Sequence, residues 1–174
     1  MFKETSKELL DFLSKSPTAF HAVENYRQIL NADGFKELLE SEHWDIVPGG
    51  KYYVTRNNTS ILAFKVGTKL DNYSFNIVTS HTDSPTFKVK ENAEIEVKNK
   101  YTQLNTEGYG GMLCATWLDR PLSIAGRVLV SEGNSIVTKL LNIDRDLLMH
   151  IMVMPTDSQD SPLEAVPLSN CIRQ

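Results

Sequence analysis

The sequence predicts an α/β protein: a layer of helices with a mixed sheet, followed from about residue 90 by a β-rich second unit. Three observations carry this. Residues up to Gly34 place apolar side chains at helical spacing. From Lys51 onward, short runs rich in Val, Ile, Tyr, Phe and Thr replace that pattern. Beyond residue 90 only strand-like runs remain.

Taken in order, residues 3–14 form an amphipathic helix with Leu9, Leu10, Phe12 and Leu13 on its apolar side. Ser16-Pro17 supplies an N-cap and a proline at the first helical position. Phe20, Val23, Tyr26, Ile29 and Leu30 then follow at helical spacing until Gly34, where a helix stops. Residues 35–41 read as a further short helical turn. Lys51–Arg56 and Ser60–Val66 are strands flanking Asn57-Asn58-Thr59. Asparagine tolerates positive φ, so a tight hairpin is expected there. Phe75–Thr79 reads as a third, buried strand running into His81. In the second unit Glu94–Lys98, Ser123–Val130, Ser135–Leu141 and Leu147–Val153 are strands, with a turn at Glu132-Gly133-Asn134. Met154–Gln174, rich in Pro, Ser and Asp, reads as irregular.

With 174 residues, 41% of them hydrophobic, the chain can bury one ordinary core or a modest core and a satellite. A net charge of -4, with both signs mixed along the chain, gives no reason to expect nucleic acid or an anionic membrane as partner. No apolar run reaches transmembrane length, and the first residues lack the basic-then-apolar order of a secretory signal, so a soluble, cytoplasmic protein is expected. Cys114 and Cys171 form no CxxC pair, which argues against a disulfide framework or a thiolate metal site. Cys114, between Leu113 and Ala115, reads as a small buried hydrophobe.

The segment with chemistry is Thr79-Ser80-His81-Thr82-Asp83-Ser84-Pro85. An imidazole at a strand end binds a metal through one nitrogen, and a carboxylate two residues on points to the same side in extended geometry and orients the ring. On spacing alone the segment offers only one or two of the about four donors that structural zinc needs, which favours a histidine capping a strand and an aspartate opening a turn before Pro85.

His81-Thr82-Asp83-Ser84-Pro85 resembles the zinc-ligand segment of the aspartyl aminopeptidase family, which includes vacuolar aminopeptidase I. Three further stretches agree in the family's order: Ser16-Pro17-Thr18-Ala19-Phe20-His21-Ala22-Val23, Tyr109-Gly110-Gly111 with Thr116-Trp117-Leu118-Asp119-Arg120, and Ser123-Ile124-Ala125-Gly126-Arg127-Val128. The likeness runs from residue 16 to about residue 153.

The resemblance implies a dinuclear zinc peptidase that removes N-terminal, often acidic, residues from peptides. Residues 1–90 would be the N-terminal part of its catalytic domain, and residues 91–174 part of its inserted β-rich dimerisation domain, giving a homo-oligomer. It implies that His81 is a zinc ligand, that Asp83 stands behind it in the catalytic site, and that His150 matches an insert-domain histidine reaching a neighbouring subunit's active site. A histidine on an apolar strand is the alternative for His150. Asp119 and Arg120 would be structural or interfacial. From their surroundings, His21 reads as a packing or capping residue, and His43, beside Trp44, gives no functional signal.

The family's further ligands and base, among them an adjacent Glu-Glu pair and a late histidine, lie downstream. This sequence has no Glu-Glu pair, and His150 is its only histidine after His81. The expectation is therefore a truncated chain that holds at most one partial zinc site of the family's two and is inactive alone. One alternative is a non-catalytic assembly or regulatory fragment that retains the dimerisation module. Another is an unrelated β-rich binding protein with a chance His-x-Asp.

Overall fold

A computed structural model of the chain describes residues 2–72, 74–150 and 170–172. The two helices are α1 (Phe2–Ser14) and α2 (Ala19–Ala32). The strands are β1 (Lys36–Glu37), β2 (Lys51–Arg56), β3 (Ser60–Lys65), β4 (Thr86–Val97), β5 (Tyr101–Tyr109), β6 (Pro121–Leu122), β7 (Ala125–Glu132), β8 (Ser135–Asn142), β9 (Leu148–His150) and β10 (Asn170–Ile172). A 3₁₀ turn spans Cys114–Trp117. Among the described residues no helix is long and apolar enough to cross a membrane.

The chain divides into two compact units. The first contains residues up to Ser84 together with Gly126–Leu141. The second contains Pro85–Ala125 and the described residues from Asn142 onward. The first passage between the units falls at Ser84/Pro85, and most of the β7–β8 ribbon groups with the first unit. Residue 90 lies inside β4, where the pairing with β5 shifts register between Val89 and Glu94.

In the first unit, α2 begins two residues later than expected, with Thr18 as N-cap. Ser16 is not free for that role, because its hydroxyl accepts a hydrogen bond from Asn25 Nδ2 at 2.9 Å. The helix ends as Gly34 dictates. Gly34 takes φ 79°, its N–H donates to Asn31 O, and the Phe35 N–H reaches back to Leu30 O. This double closure suits a glycine, which alone adopts positive φ without a Cβ penalty.

Lys36–Glu37 is a strand, not the expected helical turn. It pairs parallel to Tyr52–Tyr53, and β2 pairs antiparallel to β3, so the sheet β1-β2-β3 is mixed. Pairing outweighs a weak local helical preference in so short a segment. Asn57 and Asn58 both adopt left-handed backbone, φ 52° and 55°, and the Thr59 N–H closes the turn on Arg56 O, as the hairpin reading required.

The core of this unit is Ala22, Val23, Tyr52 and Tyr53. The Tyr53 hydroxyl donates to Asn31 Oδ1 at 3.0 Å, so the most buried phenol keeps its polar end satisfied. Phe12 stacks against Tyr26 with ring centroids 4.6 Å apart, yet Leu9, Leu10 and Leu13 on α1 stay exposed. The ribbon β7–β8 turns at Gly133-Asn134, as expected.

In the second unit the sheet order is β4-β5-β10-β9-β6. Leu104 and Leu148 are its buried apolar residues, and Phe87 meets Trp117 edge to face at 5.4 Å. β10 lies within the stretch expected to be irregular. Its pairing with both β5 and β9 corrects that expectation for Asn170–Ile172, while 151–169 and 173–174 lie outside the described residues. Cys114 is exposed, not buried, because it opens the 3₁₀ turn instead of facing the sheet.

Candidate metal centre

The approach to His81 differs from expectation. Phe75–Thr79 is not a strand, and no strand among the described residues pairs with it. Its apolar side chains face solvent, Val78 at 96% exposure and Phe75 at 79%. The apolar run read as a buried strand is thus present without the sheet neighbours that would bury it.

Beyond it the chain is fixed by a contact that the sequence pattern gave no sign of. Thr82 Oγ1 donates to Thr59 O at 2.7 Å. This ties the segment to the turn between β2 and β3, whose geometry the two left-handed asparagines set. A hydroxyl followed by a distant turn carbonyl has no sequence signature.

On either side of Thr82 stand His81 and Asp83. His81 Nδ1 lies 3.2 Å from Asp83 Oδ1. An ionised carboxylate only accepts, so Nδ1 carries the proton and Nε2 presents its lone pair. The His81 side chain is 93% exposed and that of Asp83 33%. The expected juxtaposition of ring and carboxylate is thus present, on an open surface and not in a cleft.

For a bound zinc the fit is partial. An imidazole with its second nitrogen held by a carboxylate is a well-prepared ligand, but a stable site needs about four donors. Among the described residues no three His, Cys, Asp or Glu side chains come together in a way that could hold a metal. His150 closes β9, and its side chain lies outside the described residues.

The other histidines serve structure or nothing visible. His21 Nδ1 sits 2.8 Å from Thr18 Oγ1, whose oxygen also accepts the His21 N–H. Burial lowers the pKa of this imidazole, favouring the neutral ring. His43 is a surface residue, 3.9 Å from an equally exposed Asp45. Arg120 donates to Thr116 O at 3.2 Å, bracing the 3₁₀ turn, a structural use in keeping with its reading.

Comparison with known proteins settles the family. Residues 12–156 match the Aminopeptidase I zinc metalloprotease (M18) family. The chain belongs to the M18 aminopeptidases. This M18 chain is 48% identical over 147 residues to the probable M18 family aminopeptidase 2 of Clostridium novyi, covering 83% of itself and 34% of that protein. It is 45% identical over 145 residues to the aspartyl aminopeptidase of Dictyostelium discoideum, covering 82% of itself and 30% of that protein.

Among solved structures it is similar to one of the Ape4 and Nbr1 complex, with TM-score 0.87 and 36% identity over 98% of this chain and 34% of that one. It is also similar to the S. cerevisiae mApe1 dodecamer, with TM-score 0.80 and 27% identity over 98% of this chain and 38% of that one. The M18 chain spans about a third of the length of the curated relatives it matches.

Proposed function

We propose that this chain supplies the His81 end of a zinc aminopeptidase site that removes N-terminal, acidic residues from peptides. The observation that supports this most directly is the 3.2 Å contact of His81 Nδ1 with Asp83, which fixes the tautomer and turns Nε2 outward. In this reading His81 is the metal ligand through Nε2. Asp83 holds the ring. Thr82, bonded to Thr59 O, sets the height of both above the β2–β3 turn. When bound, zinc supplies Lewis acidity to the scissile carbonyl and to the attacking water.

The further donors and the base belong to parts of the family that this chain does not cover, so the 174 residues alone are inactive. The second unit supplies the dimerisation module, and His150 serves a neighbouring subunit's site. Similarity to the S. cerevisiae mApe1 dodecamer supports this oligomeric reading.

The test is zinc affinity, measured by titration calorimetry. The chain binds zinc weakly, His81→Ala abolishes that binding, and Asp83→Ala weakens it about 10- to 100-fold. Zinc binding unchanged in His81→Ala would sink the proposal.

A second reading is a non-catalytic assembly fragment. It is favoured by the exposed run Phe75–Val78 beside an incomplete donor set. Turnover of aspartyl nitroanilide with added zinc separates the two when the chain is mixed with the downstream two thirds of a relative. Restored hydrolysis supports the enzymatic reading, and clean oligomerisation with none supports the second.

A further inference from the structure

Between β3 and β4 the backbone runs from Ser74 to His81 with no helix, turn or bend, which makes it extended chain. Among the described residues no strand pairs with it, and no backbone hydrogen bond reaches Asn76–Thr79. Its far end is pinned where Thr82 Oγ1 donates to Thr59 O. Ile77 and Val78 stand out in solvent.

The covalent makeup of the run narrows what can cover it. Asn72–Ser80 holds no charged residue, no proline and no glycine, and includes Phe75, Ile77, Val78 and Thr79, all strand formers. Extended backbone with unused N–H and C=O groups is matched by another strand, not by a helix. Charge then selects the strand. Antiparallel pairing of the run with itself about Asn76 sets Phe75 opposite Ile77, an aromatic against a β-branched residue, and Asn76 opposite Asn76. The same register carries Lys69 to the partner end that holds Asp83, and Asp71 to the end that holds His81. Centring on Ile77 instead would set Asp71 against Asp83. Parallel in-register pairing would set every charge against its own kind.

We propose that this run is a homodimer surface, pairing antiparallel about Asn76 with the same run of a second copy. The contact is isologous, so one register satisfies both copies at once. It uses no metal, and it stands whether or not His81 is a zinc ligand.

The test uses the 174-residue chain in chelator, with sedimentation velocity for the dimer constant and hydrogen exchange for the amides. A saturable dimer is expected, with alternate amides of Ser74–Val78 protected in the dimer and open on dilution. Of two adjacent N–H groups one faces the partner, so Asn76→Pro and Ile77→Pro are both made, and at least one should abolish the dimer. Ile77→Val should keep it. Exchanging Lys69→Asp with Asp71→Lys leaves the composition nearly unchanged but sets aspartate against Asp83, and should weaken the dimer about three- to tenfold. Protected β2 and β3 amides confirm that the variants are folded. A monomer at every concentration, a dimer whose Ser74–Val78 amides stay open, or one that survives both prolines would overturn the assignment. So would indifference to the charge exchange, growth into open-ended fibres, or a complex formed only with the downstream two thirds of a relative.

Discussion

Thr18 and His21 close the first turn of α2 on each other, and burial there favours the uncharged imidazole. Burial lowers the folded pKa of His21 below the ordinary value of about 6.5. The unfolded chain therefore takes up the proton more readily than the folded one. The contribution to stability is complete above the ordinary value and is lost as pH falls through the folded value. Urea midpoints measured from pH 7.5 down to pH 5 should fall in the wild type more steeply than in His21→Asn, and parallel curves would refute this. His21 was readable from its place on the helix as a packing or capping residue. Its partner was not, because the displacement of the N-cap from Ser16 to Thr18 depends on Asn25, on the far side of two helical turns. At His81 and Asp83 a spacing of two puts both side chains on one side of extended backbone, so the contact is legible from local geometry.

Short antiparallel elements were the most legible part of the fold. β2, β3, β7 and β8 are β-type runs separated by turn residues, and their partners are adjacent in sequence. The β2–β3 turn can be tested directly. A β-branched residue in left-handed backbone costs about 1–2 kcal/mol, so Asn57→Val should lower stability by that amount in denaturant melts, while Asn57→Gly should leave it nearly unchanged. Equal stability of both variants would show that the turn relaxes.

Elements with distant partners were misread. Lys36–Glu37 needs Tyr52–Tyr53 to become a strand. β4 begins at Thr86 rather than Glu94, because four residues, 90–93, stand opposite Asn105 alone. Across that bulge Phe87 and Val89 share a face with Glu94 and Glu96, so a single period-two pattern cannot describe the whole strand.

For the whole molecule, the apolar residues that remain outside matter as much as those inside. Phe75, Ile77 and Val78 are each more than three quarters exposed, and contiguous apolar surface of this kind promotes association. Sedimentation velocity on the 174 residues should show mass rising with concentration, and Phe75→Ser with Val78→Ser should shift the distribution toward monomer. A monomer at every concentration would contradict this. The family was legible because four ordered motifs fall within the matched region. The exposure of Phe75–Thr79 is not legible in the same way, because an apolar run is buried only where strands pair beside it, and none does among the described residues.

The path of the backbone has a consequence of its own. It passes from one unit to the other at Ser84/Pro85, Ala125/Gly126 and Leu141/Asn142. A single proteolytic nick at any of these junctions therefore leaves the two units still covalently joined. No uninterrupted stretch of gene encodes the first unit whole, and cloning residues 1–84 would leave behind the β7–β8 ribbon.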